Sequence, residues 1–168
     1  MKKKKKVNTG VLIGVIAIAI NIITVSVYVY QTNIMQQQQY ASVWPYLEWR
    51  ALYNQDDGFR LLVSNNGVGP ALIKNQTMRL DDEEIVLDTL FSRLLDTTYF
   101  PHLISEIQNR VLPPGESIKM ITIKDEKWSE LFAYRLSESS FEMEICYESI
   151  FKEQWICKGT EVVEGNCW

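Results

Sequence analysis

Hydrophobic and polar positions follow two periods along this chain, and one stretch has no period because nearly every residue in it is apolar. That stretch comes first. Positions 10–30 are almost all Val, Ile, Leu, Ala and Tyr, interrupted by Asn21, Thr24 and Ser26, and no charge occurs between Lys6 and Glu48. At about 1.5 Å per residue the run makes a helix on the order of 30 Å long, the thickness of a bilayer's hydrocarbon core. A secretory signal has a shorter apolar region, roughly 7–15 residues, and a small-residue cleavage site. Here the run ends in bulky "VYVY". The pattern predicts an uncleaved transmembrane helix over 10–30, with a cleaved signal as the alternative; the long charge-free run argues against a buried core helix. The next segment, "QTNIMQQQQYASV", is polar, uncharged and free of Gly and Pro, which predicts a helical stalk over 31–43 that ends before Pro45. It lacks the a/d apolar heptad of a coiled coil and reads as a spacer.

From about position 44 the period changes to two. In "YLEWRALY", Leu47, Trp49, Ala51 and Tyr53 share one face and Glu48 and Arg50 the other; "FRLLVSN" turns Phe59, Leu61 and Val63 inward. The turn "NNGVGPA" carries Asn66, Gly67, Gly69 and Pro70, residues that tolerate positive φ or preset a turn, and a third strand follows over about 71–80. A late pair, "IQNRVL" and "SIKMITI", flanks Pro113, Pro114 and Gly115, which stop one strand and start another. "FEMEICY" and "QWICKG" form a closing hairpin, with Phe141, Met143, Ile145 and Tyr147 inward and Glu142 and Glu144 outward. Two stretches return to helical spacing. "DDEEIVLDTLFSRLLDTTYF" carries acidic residues at its start, where a helix favours carboxylates, and apolar residues at Ile85, Leu87, Leu90, Phe91, Leu94 and Leu95. "DEKWSELFAYRL" predicts a shorter helix with Trp128, Leu131 and Phe132 facing the core. The expected fold is mainly β: an N-terminal transmembrane helix plus an immunoglobulin-like β-sandwich over 44–168 with short helical insertions.

The runs "LLVSNNGVGPALI", "VLPPGESIKMITI" and "FEMEICYESIFKEQW" resemble those of uncharacterised bacterial single-pass membrane proteins with an immunoglobulin-like extracytoplasmic domain. The resemblance covers most of the chain after about position 42. It implies the sandwich and its location, with the Asn-Gly and Pro-Gly motifs closing and opening core strands. It implies no catalytic residue.

Charge sets the expected orientation. Lys2, Lys3, Lys4, Lys5 and Lys6 precede the apolar run, and the first basic residue after it is Arg50. The positive-inside bias leaves a short cytoplasmic tail (1–9) and sends the domain across the inner (cytoplasmic) membrane, to the periplasm or the cell exterior, with Tyr28 and Tyr30 at the outer interface. The lysines also meet anionic lipid headgroups, so the bilayer is the first expected partner. The chain carries 17 basic and 21 acidic residues; without the five lysines, 12 face 21, a net charge of −9. That excess excludes nucleic-acid binding through the domain's overall field.

Three cysteines, Cys146, Cys157 and Cys167, lie late in the chain, where an extracytoplasmic domain can hold a disulfide. Alternation puts Cys146 on the outer face with Glu142 and Glu144, within reach of a tail, "KGTEVVEGNC", that folds back across the last strand. A Cys146–Cys167 bridge is favoured, leaving Cys157 as a buried thiol beside the core. The competing Cys146–Cys157 pair needs a two-residue turn at Phe151 and Lys152, which lacks the expected Gly or Asn. No Cys-x-x-Cys spacing points to zinc.

Candidate chemistry is sparse. His102 sits in apolar "YFPHLIS" and reads as structural, not as a general base. "NNGVG" lacks the Lys-Ser/Thr and following helix of a phosphate loop. Asp81, Asp82, Glu83 and Glu84 lack the spacing and glycine of a calcium loop and read as helix-starting carboxylates. Asn75-Gln76-Thr77 matches the glycosylation acceptor pattern. No cofactor or metal is expected. The leading expectation is a non-enzymatic interaction module that stabilises an envelope protein complex; the alternative is a ligand-binding sensor signalling through a partner subunit.

Overall fold

The computed structural model describes residues 9–167. They form two compact units that divide between Ala41 and Ser42. The lysines at 2–6, expected to set topology, lie outside the described residues.

The first unit is a helix, α1, which runs unbroken over Thr9–Ser42, so the apolar run and the glutamine-rich stretch share one helix. It is long and apolar enough to cross a membrane, and none of its residues is buried by the rest of the chain. Its few polar side chains turn back on their own helix: Asn21, Thr24, Ser26 and Thr32 each donate to the carbonyl four residues earlier. That pairs each hydroxyl donor, and one of the two amide N–H groups of Asn21, without water.

The second unit holds ten strands and two helices. In order they are β1 (Leu47–Asn54), β2 (Gly58–Asn65), β3 (Ala71–Leu80), β4 (Glu83–Ile85), α2 (Leu87–Leu95), β5 (Leu103–Ile104), β6 (Val111–Leu112), β7 (Ser117–Ile123), α3 (Glu126–Glu138), β8 (Phe141–Glu148), β9 (Gln154–Lys158) and β10 (Glu161–Glu164). One sheet has the order β1-β2-β7-β5; the other has β10-β9-β8-β3-β4, with β6 beside the start of β3. Every pairing is antiparallel. The architecture is sandwich-like with short helices, as the alternation predicts. With α1 counted, however, the chain is mixed α/β by content rather than mainly β.

Period-two residues fill the space between the sheets. Phe59, Leu61 and Val63 meet a core shared with Ile73, Met78, Met143, Ile145 and Tyr147, all buried. At the end where β1 and β2 turn, α3 closes the core, held by Asp125 accepting from the backbone N–H of Trp128 at 3.0 Å. Phe132 packs edge-on against Phe59 at 4.7 Å, and α2 adds Phe91 at 5.8 Å from Phe132.

Four details depart from the expected pattern. Ala51 and Tyr53, expected inward, are exposed and line an open groove beside α3 and Phe141 instead of packing in the closed core. Asp81 and Asp82 do not start a helix: both take positive φ in a tight turn, Glu83 and Glu84 enter β4, and α2 begins at Leu87 without a side-chain cap. The strands flanking Pro113, Pro114 and Gly115 do not pair with each other. β6 joins β3 and β7 joins β2, so the chain changes sheets there. The segment after β9 is not a loose tail either, since Gly159, at φ 65°, turns it into β10 before it reaches Cys167.

Candidate functional site

The strand registers bring several loops to one end of the second unit. Leu47 opposes Asn65, Ser64 opposes Ser117, and Leu72 opposes Glu148. Residues 43–46, the loop at 66–70, the turn at 113–116 and the loop at 149–153 therefore gather where the chain joins the domain.

Asn65 is the hub of this end and is wholly buried. Its Oδ1 accepts from the N–H of Tyr46 (3.2 Å) and Gly67 (3.0 Å), and its Nδ2 donates to the carbonyls of Gly69 (2.8 Å) and Leu112 (2.9 Å). Its own N–H donates to Glu116 and its carbonyl accepts from Gly115. One residue thus joins the Asn-Gly motif, the Pro-Gly motif and the segment leading out of α1. Asn66 and Val68 add backbone bonds to Tyr46 and Trp44. Gly67 and Gly69 are needed here for closeness and not for positive φ: a Cβ at Gly69 would overlap the carbonyl of Val43, and one at Gly67 the backbone at Trp44 and Tyr46. Gly115 does adopt positive φ, at 74°. From the other sheet, the buried Tyr147 hydroxyl lies 3.4 Å from the N–H of Leu47 and 3.5 Å from the carbonyl of Pro45. Burial pushes its pKa up, which keeps it a neutral donor.

Two buried carboxylates sit at the same end. Glu148, 3% exposed, meets the ammonium groups of Lys74 (2.7 Å) and Lys152 (2.9 Å), which hold its carboxyl below the usual range against the opposing effect of burial. Glu48 is held down in the same way by hydrogen bonds from Arg50 and Asn66. Both are paired as structural charges. Sequence alternation passes over Asn65 and Glu148, because it treats Asn65 as a strand end and turns Glu148 outward. The available signal for Asn65 is an amide at the end of an inward-facing apolar series, immediately before Asn-Gly.

The structure joins Cys146 to Cys167 and leaves Cys157 as a buried thiol. Register explains the choice. Ile145 opposes Cys157 and Cys146 opposes Ile156, so Cys146 and Cys157 point to opposite faces of the sheet. The turn between them is also longer than two residues, spanning 149–153. Cys146 lies on the outer face yet is fully buried, beneath the returning C-terminal segment. Burial pushes the Cys157 thiol up to about 12.

The remaining candidates are engaged locally. His102 shares a hydrogen bond with the carbonyl of Phe100 and lies against the rings of Phe91 and Phe100. Asp81 accepts from the N–H of Ser140 and Glu83 pairs with Arg93. Among the described residues no three His, Cys, Asp or Glu side chains gather as metal ligands. Asn75 sits in β3 and accepts from the N–H of Gln76.

A family model described as a domain of unknown function, DUF8453, matches residues 7–161. The chain belongs to the DUF8453 family. No curated protein and no solved structure matches it. The DUF8453 match begins before α1 and ends at the first residue of β10, so it includes both the apolar helix and the strands. The Asn65 hub lies inside it and Cys167 outside. In this DUF8453 protein the single apolar helix is consistent with a signal anchor or a signal sequence, and the disulfide points to an extracytoplasmic domain.

The domain also carries several surface grooves, two of which bear on binding. The larger, about 480 Å³, is lined by Gln76, Glu84, Leu87, Asp88, Glu106 and Gln108. The second, about 300 Å³, runs beside β1 between Trp49, Tyr53, Phe59, Ala133, Leu136 and Phe141, and no charged side chain lines it.

Proposed function

We propose that this DUF8453 protein is a single-pass membrane protein of the inner (cytoplasmic) membrane. Its N-terminus is cytoplasmic, and its immunoglobulin-like domain works on the far side as a non-enzymatic interaction module that stabilises an envelope protein complex. The observation that carries the reading is α1: 34 residues of helix, apolar through its first two thirds, with none of them buried by the chain. A helix apolar all round needs lipid or another protein to cover it. The lysines at 2–6 supply the positive flank that favours a cytoplasmic start. The order β1-β2-β7-β5 against β10-β9-β8-β3-β4 supports the immunoglobulin-like assignment, since it contains the A-B-E-D and G-F-C arrangement, with β4 and β10 added at the two edges of the second sheet and β6 beside β3. Tethering raises the effective concentration of a domain toward any partner in the same membrane, so a modest patch suffices.

Affinity purification of the full chain from detergent-solubilised membranes tests this. A stoichiometric membrane protein is the expected companion. A second reading, a ligand-binding sensor, draws on the polar groove at Gln76, Glu84 and Gln108; a small molecule that co-purifies without any protein partner would favour it.

A further inference from the structure

The open edge of β1 offers a specific means of association. The N–H of Trp49 donates to the carbonyl of Gly159 at 3.1 Å, so it points away from β2. Strand alternation then aims the N–H and C=O groups of Ala51 and Tyr53 to the same open side. β1 is an edge strand, and no described residue bonds these N–H groups. Leu52 and Tyr53 are exposed beside them, at 39% and 40%. Folded proteins blunt such edges with Lys, Pro or a bulge. Residues 51–54 are Ala-Leu-Tyr-Asn, and their register with β2 is unbroken.

We propose that this edge accepts a strand: an extended segment of a partner protein pairs with β1 at 51–54 and places an apolar side chain in the adjoining groove. The inference rests on the interaction-module reading and names the surface it uses. Free N–H and C=O groups at a two-residue repeat are met by another extended backbone. Trp49, Ala51 and Tyr53 share the face of Val63, Leu61 and Phe59, which oppose them across the sheet. An added strand continues that pleat, so its residue facing Ala51 turns into the groove of Phe59, Leu136 and Phe141. The uncharged lining calls for an aliphatic or aromatic side chain. The domain's acid excess, with Glu142 lining a neighbouring groove that shares Trp49 and Phe141, selects against acidic segments. The contact is short, because Gly159 already occupies the N–H of Trp49 and a turn follows Asn54. A second copy fits less well. Antiparallel pairing centred on Ala51 sets Trp49 against Tyr53 and offers the groove only a methyl group.

The test uses the full chain in detergent micelles and a blocked peptide, Lys-Val-Thr-Leu-Thr-Val-Lys. Amide exchange at Ala51 and Tyr53 is read with and without it. With nine sites in ten filled, exchange there slows about tenfold, because only the free fraction exchanges. Replacing the peptide's Leu by Thr, or N-methylating its edge-facing amides, abolishes the effect. Ala51→Pro removes an outward N–H at an edge position that tolerates proline. Tyr53→Lys places a charge at the groove. Both variants lose peptide protection and whatever membrane protein co-purifies with the wild type, while exchange at β2 and β7 stays as in the wild type. Three results overturn the proposal: no peptide protection, a partner retained by both variants, or a β1 contact found only between two copies of this chain. A retained partner leaves the interaction-module reading standing. Protection without any membrane partner keeps the edge and overturns the complex-stabilising role.

Discussion

Asn65 and Asn66 are neighbours of the same type with different weight. Asn65 satisfies two part-buried N–H groups and makes two buried bonds to carbonyls, whereas Asn66 is exposed and its amide donates to Glu48. Removing a buried hub leaves several backbone groups without partners at once. We predict that Asn65→Ala costs about 3 kcal/mol and Asn66→Ala under about 1 kcal/mol, read from denaturant unfolding of the full chain. Equal losses would show that the hub has no special role. Glu148 gives a second prediction at this scale. Its folded pKa lies below the unfolded value, chiefly through the hydrogen bonds from Lys74 and Lys152. The ionised pair therefore stabilises the fold above the ordinary carboxylate range, and this contribution is lost as pH falls through the lowered folded value. Glu148→Gln should be less stable than the wild type at pH 7, with the gap closing on acidification. A gap independent of pH would assign the loss to packing. Both lysines reach solvent, so the effect is modest and weakens with salt.

Among the elements, the β8–β9 pair carries the clearest consequence. Cys146 and Cys167 are 21 residues apart, and closing a loop of that length restricts the unfolded chain by about 3 kcal/mol. Cys146→Ser and Cys167→Ser should lose similar stability, because either breaks the same bridge. Cys157→Ser should leave the bridge intact, and native Cys157 should resist alkylation at pH 8, as its buried thiol stays protonated. Non-reducing peptide mapping that links Cys157 to either neighbour would overturn the assignment. This much was legible beforehand because alternation in "FEMEICY" decides which face each residue takes, and a face is local information. What lies across that face is not local. Ala51 and Tyr53 carry the inward parity of Trp49 yet meet solvent, and the strands around the Pro-Pro-Gly turn share a period while joining different sheets. Two successive aspartates at positive φ likewise have no periodic signature, so the carboxylates expected at a helix start became a turn and β4. Asn65 escaped for a related reason: its value lies in three loops that are distant in sequence and converge only in the fold.

For the whole molecule, the proposed anchor makes a prediction about which side of the membrane receives the domain. The second unit carries its own core and a terminal bridge, both built from residues after Ser42. The effect of the lysines at 2–6 should be confined to insertion, where cytoplasmic retention of Lys and Arg near a span sets its direction. They supply all the basic charge before the apolar run, and on the other side the first basic residue is Arg50, beyond the 34-residue helix that ends at Ser42. Replacing all five by Gln or Ser removes that asymmetry while leaving the helix long enough to span. We therefore expect mixed topology, with a fraction of domains facing the cytoplasm and the rest correctly exported. Protease added to intact spheroplasts reads this directly. Wild-type domain should be digested from outside, and a substantial part of the variant should be protected until the membrane is opened. The exported fraction should show the Cys146–Cys167 bridge and the retained fraction free thiols, since the cytoplasm keeps thiols reduced. Wild-type protein fully protected in spheroplasts would reverse the orientation. Mass measurement of membrane-extracted wild-type protein separates the anchor from a cleaved signal: loss of the first 27 to 42 residues would remove the span, and with it the tether on which the interaction reading depends.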